Sequence, residues 1–210
     1  MPRSAPALVA AETFTRAAQP VIPAGDALVL RPWLRRDAPE VYAAFQDPAL
    51  SRWQVRTVES EDEAEECVEA WARTWKLGQN ASWAVADSHT GRVLGRVALQ
   101  HLVLSQGMAA VAYWVAPQAR GRGVAPRAVE ALTGWAFERA GFHRLELRHS
   151  VLNAPSCRVA LKAGFGLEGV NRSAGLHADG WHDMHLHARV HGDDLDAATS
   201  EIPTGRVYRR

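Results

Sequence analysis

Arg120-Gly121-Arg122-Gly123-Val124-Ala125 follows an apolar extended run, Tyr113-Trp114-Val115-Ala116, and leads directly into a helical pattern. That order of residue types can hold an anion. Gly121 and Gly123 let the backbone turn tightly and carry no Cβ to keep a phosphate away from the main chain. The helix that follows aims its free N–H groups and the positive end of its dipole into the turn, and Arg120 and Arg122 add charge. A second group begins at Asn153-Ala154-Pro155-Ser156, which can cap and open another helix that closes at Lys162-Ala163-Gly164. Taken singly, each group has a plainer reading: a Gly-rich turn is ordinarily solvated, and Asn or Ser at a helix start ordinarily satisfies the backbone. Together, a strand-loop-helix followed by a strand-helix-strand points to a pyrophosphate cradle.

The elements that must position these residues can be placed from pattern. Residues 1–26 carry Pro2, Pro6, Pro20 and Pro23 without a sustained period and are expected to be flexible or draped over the domain. Asp37-Ala38-Pro39-Glu40 has a capping acid and an early proline and opens a helix through about Gln46. Ser60 with Glu63 repeats the signature, and Ala64, Cys67 or Val68, Trp71 and Trp75 form one stripe that ends near Gly78. Three extended runs follow, Trp83–Ala86, Val93–Leu102 and Met108–Ala116, and predict an antiparallel meander. Val129, Leu132, Trp135 and Ala136 supply the buried stripe of the helix after the loop, which Gly141 ends. Leu145 and Leu147 alternate along a further strand. The helix from Asn153 to Ala163 precedes strands near Phe165–Val170 and Asp183–His191. From Gly192 a tail is expected.

Composition sets wide bounds. The 210 residues, 47% of them hydrophobic, suffice for one core and little more. Lys and Arg total 24 against 23 for Asp and Glu, so no net field favours nucleic acid or an anionic membrane, and a minor-groove hook at Arg120–Gly123 is disfavoured. Cys67 and Cys157 match no metal or redox spacing and read as packed thiols. No apolar run approaches a membrane span and residues 1–26 lack the apolar core of a secretion signal, so a cytoplasmic address is expected.

The Arg120–Ala125 loop, the Asn153/Ser156 pair, the run Gly164-Phe165-Gly166-Leu167-Glu168-Gly169, Leu28-Val29-Leu30-Arg31-Pro32 and the late Gly180-Trp181-His182-Asp183 together resemble the GCN5-related N-acetyltransferases, in particular the branch of ribosomal-protein N-terminal acetyltransferases. The resemblance covers about residues 27–191, leaving 1–26 as an extension and 192–210 as a tail. It implies a single α/β domain with a mixed, mostly antiparallel sheet flanked by helices and splayed central strands. Acetyl-CoA would be the co-substrate, and a primary amine on a peptide or small molecule would attack the thioester directly. Val115, Arg120, Gly121, Arg122, Gly123, Val124, Ala125, Asn153 and Ser156 would bind the donor. The Val115 N–H would face the thioester oxygen, and the Ser156 hydroxyl would donate toward the departing sulfur. No nucleic acid, membrane or metal is expected, and a homodimer stays open.

One departure from the family affects the chemistry. Many relatives carry a Glu on the strand before the loop, where this chain reads Met108-Ala109-Ala110-Val111-Ala112. Without it, an α-amine with a pKa near 8 is an easier acceptor than a lysine near 10.4. Glu146 or His149 could face the acceptor cleft, and His177 and Asp179 could contact the acceptor. Trp33, Trp53 and Trp181 could line its mouth, though packing is their ordinary role. Asp183, His185 and His187 share one strand face and could present a base or a metal pair, the latter short of further ligands. Cys157 adjoins no evident base and is not expected to carry an acyl group. The competing functions are acetylation of a small amine such as an antibiotic or metabolite, transfer of a longer acyl group such as succinyl, and a non-catalytic CoA-binding module.

Overall fold

A computed structural model of the chain describes residues 7–15, 18–53 and 57–193, together with the backbone of residues 207–208. The first part of the chain forms α1 (Glu12–Thr15), β1 (Ile22–Pro23), β2 (Leu28–Arg31), α2 (Ala38–Phe45), α3 (Pro48–Ser51) and α4 (Glu61–Lys76). The expected meander follows as β3 (Ala81–Asp87), β4 (Val93–Val103) and β5 (Met108–Val115), then α5 (Val124–Trp135), β6 (Arg144–Ser150) and α6 (Ala154–Lys162). A long hairpin, β7 (Gly166–His177) and β8 (Gly180–Val190), and the two-residue β9 (Val207–Tyr208) complete it.

Local chemistry accounts for most boundaries. The Ser60 hydroxyl accepts the Glu63 N–H at 3.2 Å and the Glu63 carboxylate accepts the Glu59 N–H at 2.8 Å, fixing the start of α4. Gly78 and Gly141, both at positive φ, close α4 and the π-helical turn Ala136–Ala140 that prolongs α5. Asp37 departs from its expected capping role. Its carboxylate takes two bonds from the Arg31 guanidinium, at 2.6 and 2.9 Å, and one from the Leu34 N–H, so it ties β2 to the turn before α2.

The sheet runs β1-β2-β3-β4-β5-β6-β8-β7, with β9 beside β8. Every described pairing is antiparallel except β5 with β6. One face packs Trp83, Val129, Leu132, Leu145, Leu147 and Phe165 against α5 and α6, and the other packs Trp33, Val41, Phe45, Val68 and Trp114 beneath α2 and α4. The described part of the N-terminal extension is draped. Val9 and Phe14 are fully buried, and Phe14 sits edge-on to Trp75, Trp135 and Phe142 at 5.0, 6.4 and 6.3 Å. Trp83 Nε1–H donates to the Pro20 carbonyl at 2.8 Å, and Ile22–Pro23 adds an edge strand. Residues 1–6 and 16–17 of that extension lie outside the described residues, as does the expected tail beyond Asp193 apart from β9.

β7 runs seven residues past its expected end at Val170, to His177. Its register shifts between Leu167 and Gly169 and between Asn171 and Gly175, and Ser173 adopts a positive φ of 50°. These irregularities erase the alternation by which a strand is recognised.

Candidate active site

The central parallel pair comes apart. β5 and β6 are paired from Met108↔Arg144 to Val111↔Leu147 and no further, whereas β4 follows β5 as far as Gly95↔Val115. The Ala116 N–H donates to Leu94 on the β4 side at 2.9 Å. Successive residues of a strand alternate the side to which their amides point, so the Val115 N–H faces the gap. The Val115 carbonyl, on that same side, accepts from Arg120 Nε at 3.2 Å. Close approach of β4 steadies this end of β5: a Cβ at Gly95 would lie 2.4 Å from the Trp114 oxygen and 3.2 Å from the Val115 Cα. The gap opens into a cleft of about 1160 Å³.

At one end of the cleft, Gly121 and Gly123 take φ values of 74° and 70°, the left-handed region that glycine adopts without strain. Gly123 is the N-cap of α5, whose first turn receives no side-chain cap. The loop is braced by Arg127, which donates to the carbonyls of Arg122 at 3.0 Å and Gly123 at 3.2 Å. The Arg120 guanidinium pairs with Asp47, the N-cap of α3. Burial pushes the Asp47 carboxyl up, but the Arg120 contact and the Ala49 N–H outweigh it and hold it below the ordinary carboxylate range. Arg120 thus shares its charge with a carboxylate, while Arg122 is exposed. Arg158 and Lys162 of α6 also line the cleft.

Asn153 does what its position predicts for any cap: its side-chain oxygen accepts the Ser156 N–H at 3.1 Å. Ser156 lines the cleft from the first turn of α6. Tyr113, to which sequence reasoning gave no role, lines it too, and its hydroxyl donates to the Ser156 carbonyl at 3.5 Å. Burial drives the phenol up to about 12, opposed by the Ser156 side-chain hydroxyl, whose hydrogen bond favours the phenolate. The signal was available, since Tyr113 lies two residues before Val115 on the same strand face.

Where β5 lacks a carboxylate, the next strand places one beside it. Ala110 is the register partner of Gln100 on one side and of Glu146 on the other. Glu146 lines the cleft and is held by Arg144 at 3.2 Å and Arg148 at 2.7 Å. The far wall is built by Ala49 and Leu50 of α3, Trp53 beyond it, and His177 at the tip of the β7–β8 hairpin. Trp53 meets His177 edge-on at 5.9 Å, and His182 lies 4.4 Å from His177. No side chain hydrogen-bonds either ring nitrogen of His177, and its one near polar neighbour on the main chain is the Arg52 backbone, out of good hydrogen-bond alignment. Burial first, and then the neighbouring His182, lower its pKa below the ordinary histidine value, with Asp179 and the Arg52 backbone pulling the other way. Asp179 holds His182 Nε2 at 2.8 Å, while Ser150 Oγ holds Nδ1 at 2.8 Å. Of the three tryptophans considered for the mouth, Trp53 is there. Trp33 is instead buried beside Trp71 and Trp114, and Trp181 is exposed away from the cleft lining.

The late histidines split. Asp183 accepts the Ser173 N–H at 2.8 Å and is not one of the four residues that His185 and His187 join. His185 and His187 meet His149 of β6 and Cys157 of α6 on the opposite side of the sheet from Glu146, and His149, like Glu146, lines the cleft. The expectation that Cys157 adjoins no base is thereby corrected: its Sγ lies 3.8 Å from His187 Nε2. Burial pushes the Cys157 thiol up and the His187 imidazole down, which favours a neutral thiol beside a neutral imidazole over an ion pair.

The family profile described as the acetyltransferase (GNAT) domain matches residues 27–166, two-thirds of the chain and every cleft element from β2 to α6. The chain belongs to the GNAT acetyltransferase family. The uncharacterized N-acetyltransferase YoaA of Bacillus subtilis is 24% identical over 148 residues, covering 70% of this chain and 84% of that protein. The ribosomal-protein-serine acetyltransferase of Escherichia coli is 28% identical over 98 residues, 47% of this chain and 55% of that one. RimL, a ribosomal-protein alpha-N-acetyltransferase solved in complex with coenzyme A, shares the fold with a TM-score of 0.76 at 20% identity, covering 81% of this chain and 98% of that chain. This GNAT domain is an acetyl-CoA-dependent N-acetyltransferase with RimJ/RimL-like neighbours, and acetyl-CoA is its co-substrate. Among the described residues no helix is long and apolar enough to cross a membrane.

Proposed function

We propose that this acetyltransferase modifies the N-terminal α-amine of a peptide or protein, with His177 as the group that receives the amine proton. One observation carries the reading: an imidazole with its pKa lowered lines the cleft, and neither ring nitrogen is held by a well-aligned hydrogen bond. Such a base is neutral at pH 7 but weak, so it suits an acceptor that is itself partly neutral there. An α-amine near 8 meets that condition, and a lysine near 10.4 does so poorly.

The remaining roles follow from placement. Acetyl-CoA supplies the thioester carbonyl. The uncapped first turn of α5 and the backbone at Gly121–Ala125 receive the pyrophosphate, with Arg122 adding charge. Arg120 braces the loop against α3 through Asp47. The gap-facing Val115 N–H meets the oxygen on which negative charge develops, a contact worth about 3–4 kcal/mol in comparable sites. Ser156 and Tyr113 act on the leaving sulfur by hydrogen bonding. A thiolate whose conjugate acid lies near 8.5 cannot strip a proton from a phenol near 12, so these hydroxyls stabilise the sulfur without surrendering their protons. The bond that forms is C–N and the bond that breaks is C–S. The proton lost by nitrogen passes to His177, and the thiolate is protonated from solvent.

The test is release of free CoA thiol from acetyl-CoA against three acceptor panels: peptides with free N-termini, lysine-containing peptides with blocked ends, and small amines. Turnover should be confined to the first. Steady turnover of the blocked lysine peptides, or of small amines alone, would overturn the assignment of the acceptor.

A further inference from the structure

His149, Cys157, His185 and His187 come from three elements and converge beneath α6, on the face of the sheet away from Glu146. His149 and His185 are direct register partners across β6 and β8, and His187 lies two residues further along the same face. All four are buried, none more than 6% exposed. Their ligand-type atoms all lie within 4.8 Å of one another, and the three rings have centroid separations of 5.2, 5.1 and 5.8 Å.

The tautomers of two rings are set by the backbone. His149 Nδ1 lies 2.8 Å from the Ser150 carbonyl and His187 Nδ1 lies 3.2 Å from the Phe165 carbonyl. A carbonyl only accepts, so each Nδ1 carries the hydrogen and each Nε2 keeps a lone pair. His187 Nε2 directs that lone pair at the Cys157 sulfur, and His149 Nε2, fully buried, has no hydrogen-bond partner. A buried acceptor left unmatched costs about 1–3 kcal/mol, which an apolar side chain at the same place would avoid. Imidazoles that donate one ring N–H to a main-chain carbonyl and turn the other nitrogen to a common centre are arranged as metal ligands are.

We infer that His149, Cys157, His185 and His187 form a structural zinc site that fastens α6 to β6 and β8. Three imidazoles and one thiolate match the borderline-soft, tetrahedral preference of Zn²⁺, and four protein ligands leave no open position for substrate. Zinc–nitrogen and zinc–sulfur distances of about 2.0–2.1 and 2.3 Å require ligand atoms roughly 3.3–3.7 Å apart. The Cys157–His187 separation of 3.8 Å is already close, and the widest contact closes by about 1 Å through side-chain rotation. Binding converts the Cys157 thiol to thiolate and releases one proton to solvent, leaving a site of net charge about +1. Ser156 and Asn153 sit on the same short helix as Cys157, so the ion would set the position of the helix end that faces the cleft.

The experiment uses the full chain and does not depend on acetyl transfer. Protein expressed with zinc and purified without chelator should hold close to one zinc per chain by mass spectrometry. Protein stripped with a chelator and titrated with Co²⁺ should develop the ligand-field bands of tetrahedral cobalt and a thiolate-to-cobalt charge-transfer band. Cys157→Ser should abolish the charge-transfer band, and His187→Ala should weaken Co²⁺ binding by more than about 10-fold, the cost of losing even an outer-sphere partner. Cys67→Ser removes the other buried thiol and should leave the spectrum unchanged. Stripped wild-type protein should gain thermal stability on addition of Zn²⁺, a readout that stands even if the ligand variants do not fold. No zinc and no cobalt spectrum in the wild type, or a charge-transfer band that survives Cys157→Ser and vanishes with Cys67→Ser, would overturn the site.

Discussion

In the proposed mechanism His177 and Ser156 carry separable parts of the chemistry, and their variants should differ in kind. A protonated imidazole cannot accept a proton, so kcat/KM should rise as pH climbs through the His177 pKa, which lies below the ordinary value of about 6.5. The groups that face the ring are His182, Asp179 and the backbone of Arg52, and among them burial and His182 set the direction of the shift. His177→Gln should lower kcat/KM by about 100-fold and remove this lower inflection, leaving only the rise near 8 that belongs to an α-amine acceptor. A lower limb unchanged in His177→Gln would reassign the base. Ser156→Ala should cut kcat by about 10- to 100-fold while CoA affinity, measured by calorimetry, moves little, because its hydroxyl matters most as charge gathers on sulfur. Equal loss of binding and rate would make Ser156 a positioning residue.

At the scale of elements, the position of Val115 depends on how closely β4 can approach β5. Gly95 permits that approach, and a methyl group there meets backbone rather than a side chain that could swing aside. Gly95→Ala should push the Trp114–Val115 segment toward the gap and lower kcat by about 100-fold, the order expected for a misplacement near 1 Å. Crystallography or amide chemical shifts at Val115 would register the movement, and unchanged kcat would show that the sheet absorbs the methyl elsewhere. The elements themselves were largely readable: the Gly121/Gly123 loop, the Ser60 and Asn153 caps and the β3–β5 meander each follow from local chemistry. What escaped was non-local. That Ala110 neighbours Glu146 is a matter of parallel register, and no pattern in either strand specifies it. Cys157 finds His149, His185 and His187 only because α6 lies across β6 and β8. The four-residue helices α1 and α3 are too short to show a period, yet α3 supplies its N-cap Asp47 for the loop and part of the cleft wall.

Across the whole molecule, the N-terminal extension contributes to the core rather than decorating it. Phe14 closes an aromatic group with Trp75, Trp135 and Phe142, and Trp75 and Trp135 in turn contact Trp83 at the centre of the sheet. Phe14→Ala should cost about 3–5 kcal/mol. For a domain of this size that corresponds to a fall in Tm of roughly 6–20 °C, which scanning calorimetry would detect. None of these aromatic rings lines the cleft, so turnover at 25 °C should be kept in the fraction that remains folded. A Tm within about 2 °C of the parent would mean that the extension rests on the domain without bearing on its stability.

If the loop at Gly121–Ala125 holds the pyrophosphate as proposed, it carries a cost for the catalytic cycle. It sits at one end of the cleft and the acetyl group reacts elsewhere, so whatever free energy the loop contributes is the same before and after transfer. Free CoA keeps the pyrophosphate and the arm and should compete with acetyl-CoA at similar affinity. Under saturating conditions the departure of spent CoA, rather than the attack of the amine, would then set the pace, and the ratio of acetylated to free CoA in the surroundings would throttle the enzyme without any regulatory site.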